Sequence, residues 1–135
     1  MPTVIITRVA LDHYTATSPS GASLDFGRAE GLLTPVELLL AALGGCGAVD
    51  VDHLTSRRAE PELFEVEVNA DKVQDAALGN RLADVQVTFR IRFGEGAGAD
   101  RARDVLPKAV DRSHDRLCTV SRSLELQTPV AVQVE

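Results

Sequence analysis

The chain has no tryptophan, one tyrosine, one methionine and two cysteines, and aromatic residues fill only 4% of its 135 positions. Its core must therefore be aliphatic. Basic residues are also scarce. Fourteen Lys and Arg face twenty Asp and Glu, for a net charge of −6. Phosphate binding needs a basic face, so nucleic acid is not expected as a partner. No apolar run reaches the roughly 18–20 residues that a membrane-spanning helix needs, so no membrane association is expected. The opening residues, MPTVIITRVALD, lack a basic stretch followed by an apolar core and a small-residue cleavage site. A cytoplasmic location is the expectation. Repeats, low-complexity tracts and linkers are missing, which points to one domain over residues 1–135. There is no G-x-S-x-G elbow, phosphate-binding glycine loop or dinucleotide fingerprint, and hence no cofactor signature. Neither cysteine sits in a CxxC pair, and no His/Cys group has structural-zinc spacing, so no metal site is expected.

What the chain does have is ordinary globular composition, 44% apolar and 25% charged, with clear periodicities. Residues 3–11 read as a buried strand, 13–17 as a second, and ASLDF after the Ser-Pro-Ser-Gly turn as a short third. The segment TPVELLLAALGGCGAVDVDHLTSRR then carries a helix signature. Thr34 suits an N-cap, Pro35 the first helical position, and Glu37 stands where a capping box needs it, with a direct active-site role as its alternative. From Leu38 to Val51 almost every residue is apolar or small until Asp50, which predicts a helix buried on all sides. Gly44, Gly45 and Gly47 each cost helix propensity of roughly 1 kcal/mol. Close approach of a backbone or a ligand beside Cys46 would offset that cost. Arg57 and Arg58 suit a solvated helix end.

Two period-2 strands follow. Phe64, Val66, Val68 and Ala70 alternate with polar residues, and so do Val85, Val87, Phe89, Ile91 and Phe93. Gly94–Gly98 reads as a loop. A helix is expected over about 104–116, capped by Asp104, with Pro107 tolerable only in its first turn. Residues 118–126 suit a further short helix. PVAVQVE, with Val130, Val132 and Val134 alternating, suits a last strand. The order implies an α+β fold, with antiparallel sheets around a buried central helix.

Cys46 and Cys118 admit two readings. Both are small buried hydrophobes, as free cysteines commonly are, or they form a dithiol pair, one attacking and one resolving. The glycines beside Cys46 leave its sulfur approachable. Lys108, Arg112, His114 and Arg116 precede Cys118, and a nearby cation would favour thiolate. Asp50 lies one helical turn after Cys46; a carboxylate there raises rather than lowers a thiol pKa, so it reads as a hydrogen-bonding or surface residue. His13 and His53 read as surface histidines. Arg28 precedes the central helix, where it either reaches a thiolate or is a surface residue.

The residues T-P-V-E-L-L-L-A-A-L-G-G-C-G-A-V-D, with R-L-C-T-V-S-R-S-L much later in the chain, resemble the OsmC/Ohr family of osmotically inducible and organic hydroperoxide resistance proteins. The likeness includes the approach Val110, Asp111, Ser113, Cys118, and its PxELLLAALGGC core is closest to the YhfA-like branch. The resemblance implies an intertwined homodimer with two interfacial active sites and thiol-dependent reduction of small organic hydroperoxides. Cys46 would be the peroxidatic residue and Cys118 the resolving one, with an external dithiol as reductant. One departure bears on activity. The family's true peroxidases place a glutamate ten residues before the first cysteine, paired with an arginine. Here that position is Val36, and Glu37 is one residue off, roughly 100° around the helix. Arg8 and Arg28 match the family arginine by region only. The alternatives are a non-turnover small-molecule binding or redox-sensing protein on the same scaffold, and a structural dimer with inert thiols.

Overall fold

The structure, a computed structural model, describes residues 1–135. The chain divides into two compact units, Met1–Leu40 and Ala41–Glu135. In the first, β1 (Ile5–Ala10), β2 (His13–Thr17) and β3 (Ser23–Phe26) form an antiparallel sheet in sequence order. Asp12 takes a positive φ of 60° in the β1–β2 turn. Only glycine fits at position 27, since a Cβ there would lie 1.9 Å from the Asp12 carbonyl oxygen. The Tyr14 and Phe26 rings pack at 5.9 Å, and Asp25 accepts a hydrogen bond from Thr15 and contacts His13 Nε2 at 3.2 Å. Every residue of β1 is exposed, although Ile5, Ile6 and Val9 are apolar.

Helix α1 (Pro35–Thr55) starts in the first unit and continues into the second. Its start follows the expected signals: the Thr34 amide donates to Glu37 Oε1 at 3.0 Å, and the Glu37 amide donates to Thr34 Oγ1 at 3.2 Å. That is a reciprocal capping box. Arg58 closes the other end by donating to the Leu54 carbonyl. The expectation of burial on all sides is corrected: Leu43, Gly44, Gly47, Val51 and Thr55 are buried along one stripe, while Val36, Leu39 and Val49 are exposed. The expectation about apolar runs is also corrected, because α1, at 21 residues, is long and apolar enough to cross a membrane by composition alone. Its buried stripe packs instead on protein, which the sequence run could not reveal.

In the second unit β4 (Pro61–Asp75) pairs antiparallel with β5 (Gly79–Phe93), as the alternation predicts and with longer strands. Glu65, Glu67, Asn69 and Asp71 face out; Phe64, Val66, Val68 and Ala70 are half-buried. A Cβ on Gly44 would come 2.6 Å from Val68 Cγ2, and one on Gly47 would come 3.1 Å from Phe89 Cζ. Those two glycines therefore let α1 lie close on the ribbon. Gly45 has nothing near it within the chain.

α2 runs from Ala97 to Arg112, so the loop expected at Gly94–Gly98 gives way to helix at its end, and Asp104 is an interior residue, not a cap. Gly96 is the N-cap, and its carbonyl accepts from the Asp100 amide. The helix starts early because Ala99 and Ala102 bury against Phe93, with Ile91 and Leu106 around them. Gly98 permits this, since a Cβ there would meet the Arg58 carbonyl oxygen at 2.3 Å. Packing outweighs the cost of Pro107, which lies inside the helix and not in its first turn. Arg103 ties the start of α2 to β5 by donating to the Phe93 and Gly94 carbonyls and pairing with Asp100. A π turn, Ser113–Leu117, follows, and α3 (Thr119–Glu125) matches the expected short helix. The expected last strand is not formed. Residues 127–135 have no regular structure, and Val130, Val132 and Val134 are almost fully exposed. A valine alternation makes a strand face, but it supplies no pairing edge.

A candidate dithiol site in the second unit

Cys46 stands at the edge of the buried stripe of α1, between the two close-packed glycines in sequence, and Asp50 follows one turn later on the same face. Across from them the π turn brings in Ser113 and Cys118. The Cys118 amide donates to the Ser113 carbonyl at 2.8 Å, and Cys118 is also the N-cap of α3, its sulfur accepting from the Ser121 amide at 3.3 Å. Cys118 is thus held from both sides and is 2% exposed. Cys46 is half-buried, and neither cysteine is in a disulfide. The two sulfurs and a carboxylate oxygen of Asp50 lie within 4.8 Å of one another. Ser113 Oγ donates to Asp50 Oδ2 at 2.9 Å and orients that carboxylate.

Burial pushes the Cys118 thiol up from its ordinary value. The neighbouring Cys46 acts in the same direction and outweighs the opposing Ser121 amide, and the Asp50 charge adds the least. The expectation that the preceding cations favour thiolate at Cys118 is therefore corrected. Lys108 and Arg112 line a different hollow, with Arg58. His114 does share a cavity wall with Cys118. Its Nδ1 lies 3.3 Å from Ser121 Oγ, and its Nε2 lies 3.2 Å from Glu125.

A cavity of about 40 Å³ borders Cys118, walled by Leu43, Val87, Phe89 and Val110. A second, of about 220 Å³, shares Leu43, Val87, His114 and Ser121 and adds Val85 and Leu124. Cys118 lines the first cavity, and Cys46 is adjacent in sequence to its lining residue Gly47. Glu37 has its carboxylate in the capping box, which holds its pKa below the ordinary value, chiefly through the Thr34 amide. Arg28 is exposed and forms no ion pair. Sequence reasoning missed the convergence of Asp50 with both sulfurs and the role of Ser113 in orienting it. The four-residue step from Cys46 to Asp50 was the available signal, since it puts both on one helix face.

An α+β chain with two free thiols meeting beside an apolar cavity defines a dithiol protein. The OsmC-like protein family matches residues 28–135, and the chain belongs to that family. Solved structures agree on the fold. A hypothetical protein from Aquifex aeolicus VF5 superposes with a TM-score of 0.74 at 19% identity, covering 95% of this chain and 89% of its own. The organic hydroperoxide resistance protein OhrB of Bacillus subtilis gives 0.61 at 18% identity, with 93% and 92% covered. An organic hydroperoxide resistance protein OsmC from Legionella pneumophila gives 0.63 at 16%, with 90% and 88% covered. No curated protein matches the sequence.

Proposed function

We propose that this chain is a thiol-dependent redox protein that reduces small organic hydroperoxides, with Cys46 as the attacking residue and Cys118 as the resolving one. The observation that carries the reading is the meeting of the two sulfurs within 4.8 Å, with Cys118 on the wall of an apolar cavity. Membership of the family and the hydroperoxide-resistance names of its structural neighbours support the same chemistry. The Cys46 thiolate attacks the distal peroxide oxygen, the O–O bond breaks, and the alkoxide leaves as alcohol after taking a proton. Cys46 is then a sulfenic acid. Cys118 attacks its sulfur and water leaves, giving a disulfide that an external dithiol reduces. A proton held on buried Cys118 until the sulfenic acid forms suits a resolving thiol. Leu43, Val85, Val87 and Leu124 suit a short alkyl group.

The exposed apolar residues of β1, α1 and the C-terminal tail support a homodimer as the working form. The free thiols suit a reducing cytoplasm, and the PxELLLAALGGC core favours the YhfA-like branch. One observation favours the alternative, a redox sensor or binding protein without turnover: burial, and then the neighbouring Cys46, oppose ionisation at Cys118, and Glu37 is engaged in its cap. Incubation of reduced protein with cumene hydroperoxide, followed by intact mass, tests the choice. Peroxidase function predicts rapid loss of hydroperoxide and of two hydrogens per chain. Cys46→Ser abolishes both, and Cys118→Ser stops after one turnover with oxygen added. Full activity in Cys46→Ser overturns the assignment.

A further inference from the structure

We propose that Cys46, Cys118 and Asp50 form a binding site for a thiophilic divalent cation of the zinc class. The expectation of no metal site rested on spacing, and spacing detects only ligands that lie near each other in sequence. Here a helix face supplies one sulfur and one carboxylate, and the π turn supplies the second sulfur. Around zinc, sulfur ligands sit about 2.3 Å and carboxylate oxygens about 2.0–2.2 Å from the metal, which in a tetrahedron separates donor atoms by roughly 3.5–3.8 Å. The three donors already lie within 4.8 Å of one another, about an ångström from that spacing at most.

The electrostatics point the same way. Two thiols and a carboxylate converge with Cys118 almost fully buried, and no Lys, Arg or His forms an ion pair with Asp50. A dication offsets the charge of that carboxylate and of the thiolates that form as it binds. Cation binding expels the two thiol protons to solvent as each sulfur–metal bond forms. Ser113 then acts from outside the ligand set, holding Asp50 through its 2.9 Å hydrogen bond, as partners of metal carboxylates do. Three protein donors leave the fourth position to water, the pattern of an open zinc site. Metal and disulfide compete for the same sulfurs, so bound cation holds the pair reduced.

The test is titration of the reduced protein, in a thiol-free reductant, with Zn²⁺ against a chromophoric chelator, and with Co²⁺ read by its thiolate charge-transfer absorption. One ion per chain is expected, with protection of both cysteines from alkylation. Cys46→Ser and Cys118→Ser lose the tight site and the charge-transfer band. Asp50→Asn weakens binding but keeps the band, and Ser113→Ala weakens it by about 10–100-fold. Asp52→Asn, an exposed control on the same helix, leaves it unchanged. No tight binding by the unaltered protein, or binding indifferent to Asp50→Asn, overturns the site. A protein that binds zinc yet consumes no hydroperoxide keeps this site while refuting the peroxidase reading.

Discussion

The two sides of α1 have nearly the same composition and opposite surroundings. One side carries Leu43, Gly44, Gly47, Val51 and Thr55 and is buried; Val51 and Thr55 have no exposed surface at all. The other carries Ala42, Gly45 and Val49, and Val49 is 58% exposed. The buried side is specified in detail: its two glycines match Val68 and Phe89, and Thr55 spends its hydroxyl on the Val51 carbonyl. The open side is apolar without a partner inside the chain, like β1 and the C-terminal valines. Apolarity along a sequence thus states that a face is to be covered. It does not say by which chain.

Several substitutions break or sharpen that contrast. The largest effect is expected at Gly44→Ala, which puts a methyl group into Val68 on the tight side; overpacking of this kind costs about 1–3 kcal/mol, read from denaturant unfolding. A cost near zero would mean that the helix does not lie so close to β4. Next comes Val49→Glu on the open side. In a lone chain an exposed substitution changes stability by no more than about 0.5 kcal/mol. If a second copy covers this face, sedimentation shows dimer giving way to monomer while secondary structure persists. Gly45→Ala sharpens the point further. Nothing in the chain meets its Cβ, so helix propensity alone raises stability by up to ~1 kcal/mol; a loss instead identifies close contact with a partner.

The smallest effect is at the capping box. Glu37 has a lowered pKa in the folded chain, so its charged form contributes stability above the ordinary carboxylate range, and that contribution is lost as pH falls through the folded value. Glu37→Gln is therefore slightly less stable at neutral pH, and the two unfolding curves converge in acid. A constant difference between them would mean that the charge contributes nothing.

The local chemistry of the fold was legible in residues. Thr34, Pro35 and Glu37 mark the start of α1 because a capping box is a contact between neighbours in sequence. β4 and β5 are readable because alternation over one wet and one dry face leaves a period of two. Asp104 misled because a good capping residue is indistinguishable from a polar residue within a helix until Ala99 and Ala102 are seen against Phe93. Val130, Val132 and Val134 misled because a strand needs an edge to pair with, which lies outside its own sequence. At the site, Cys46 and Cys118 stood out, and the four-residue step to Asp50 was visible but its meaning was not.

The sequence by itself determined which two residues carry thiols, the α+β order of elements and the capped start of α1. Those follow from residue type and short-range spacing. Only the tertiary structure decided that two thiols and a carboxylate meet within 4.8 Å, and that Cys118 is buried with its thiol pKa raised. Proximity between residues far apart in the chain, and the loss of water around them, are set by packing, and no local pattern of side chains encodes either.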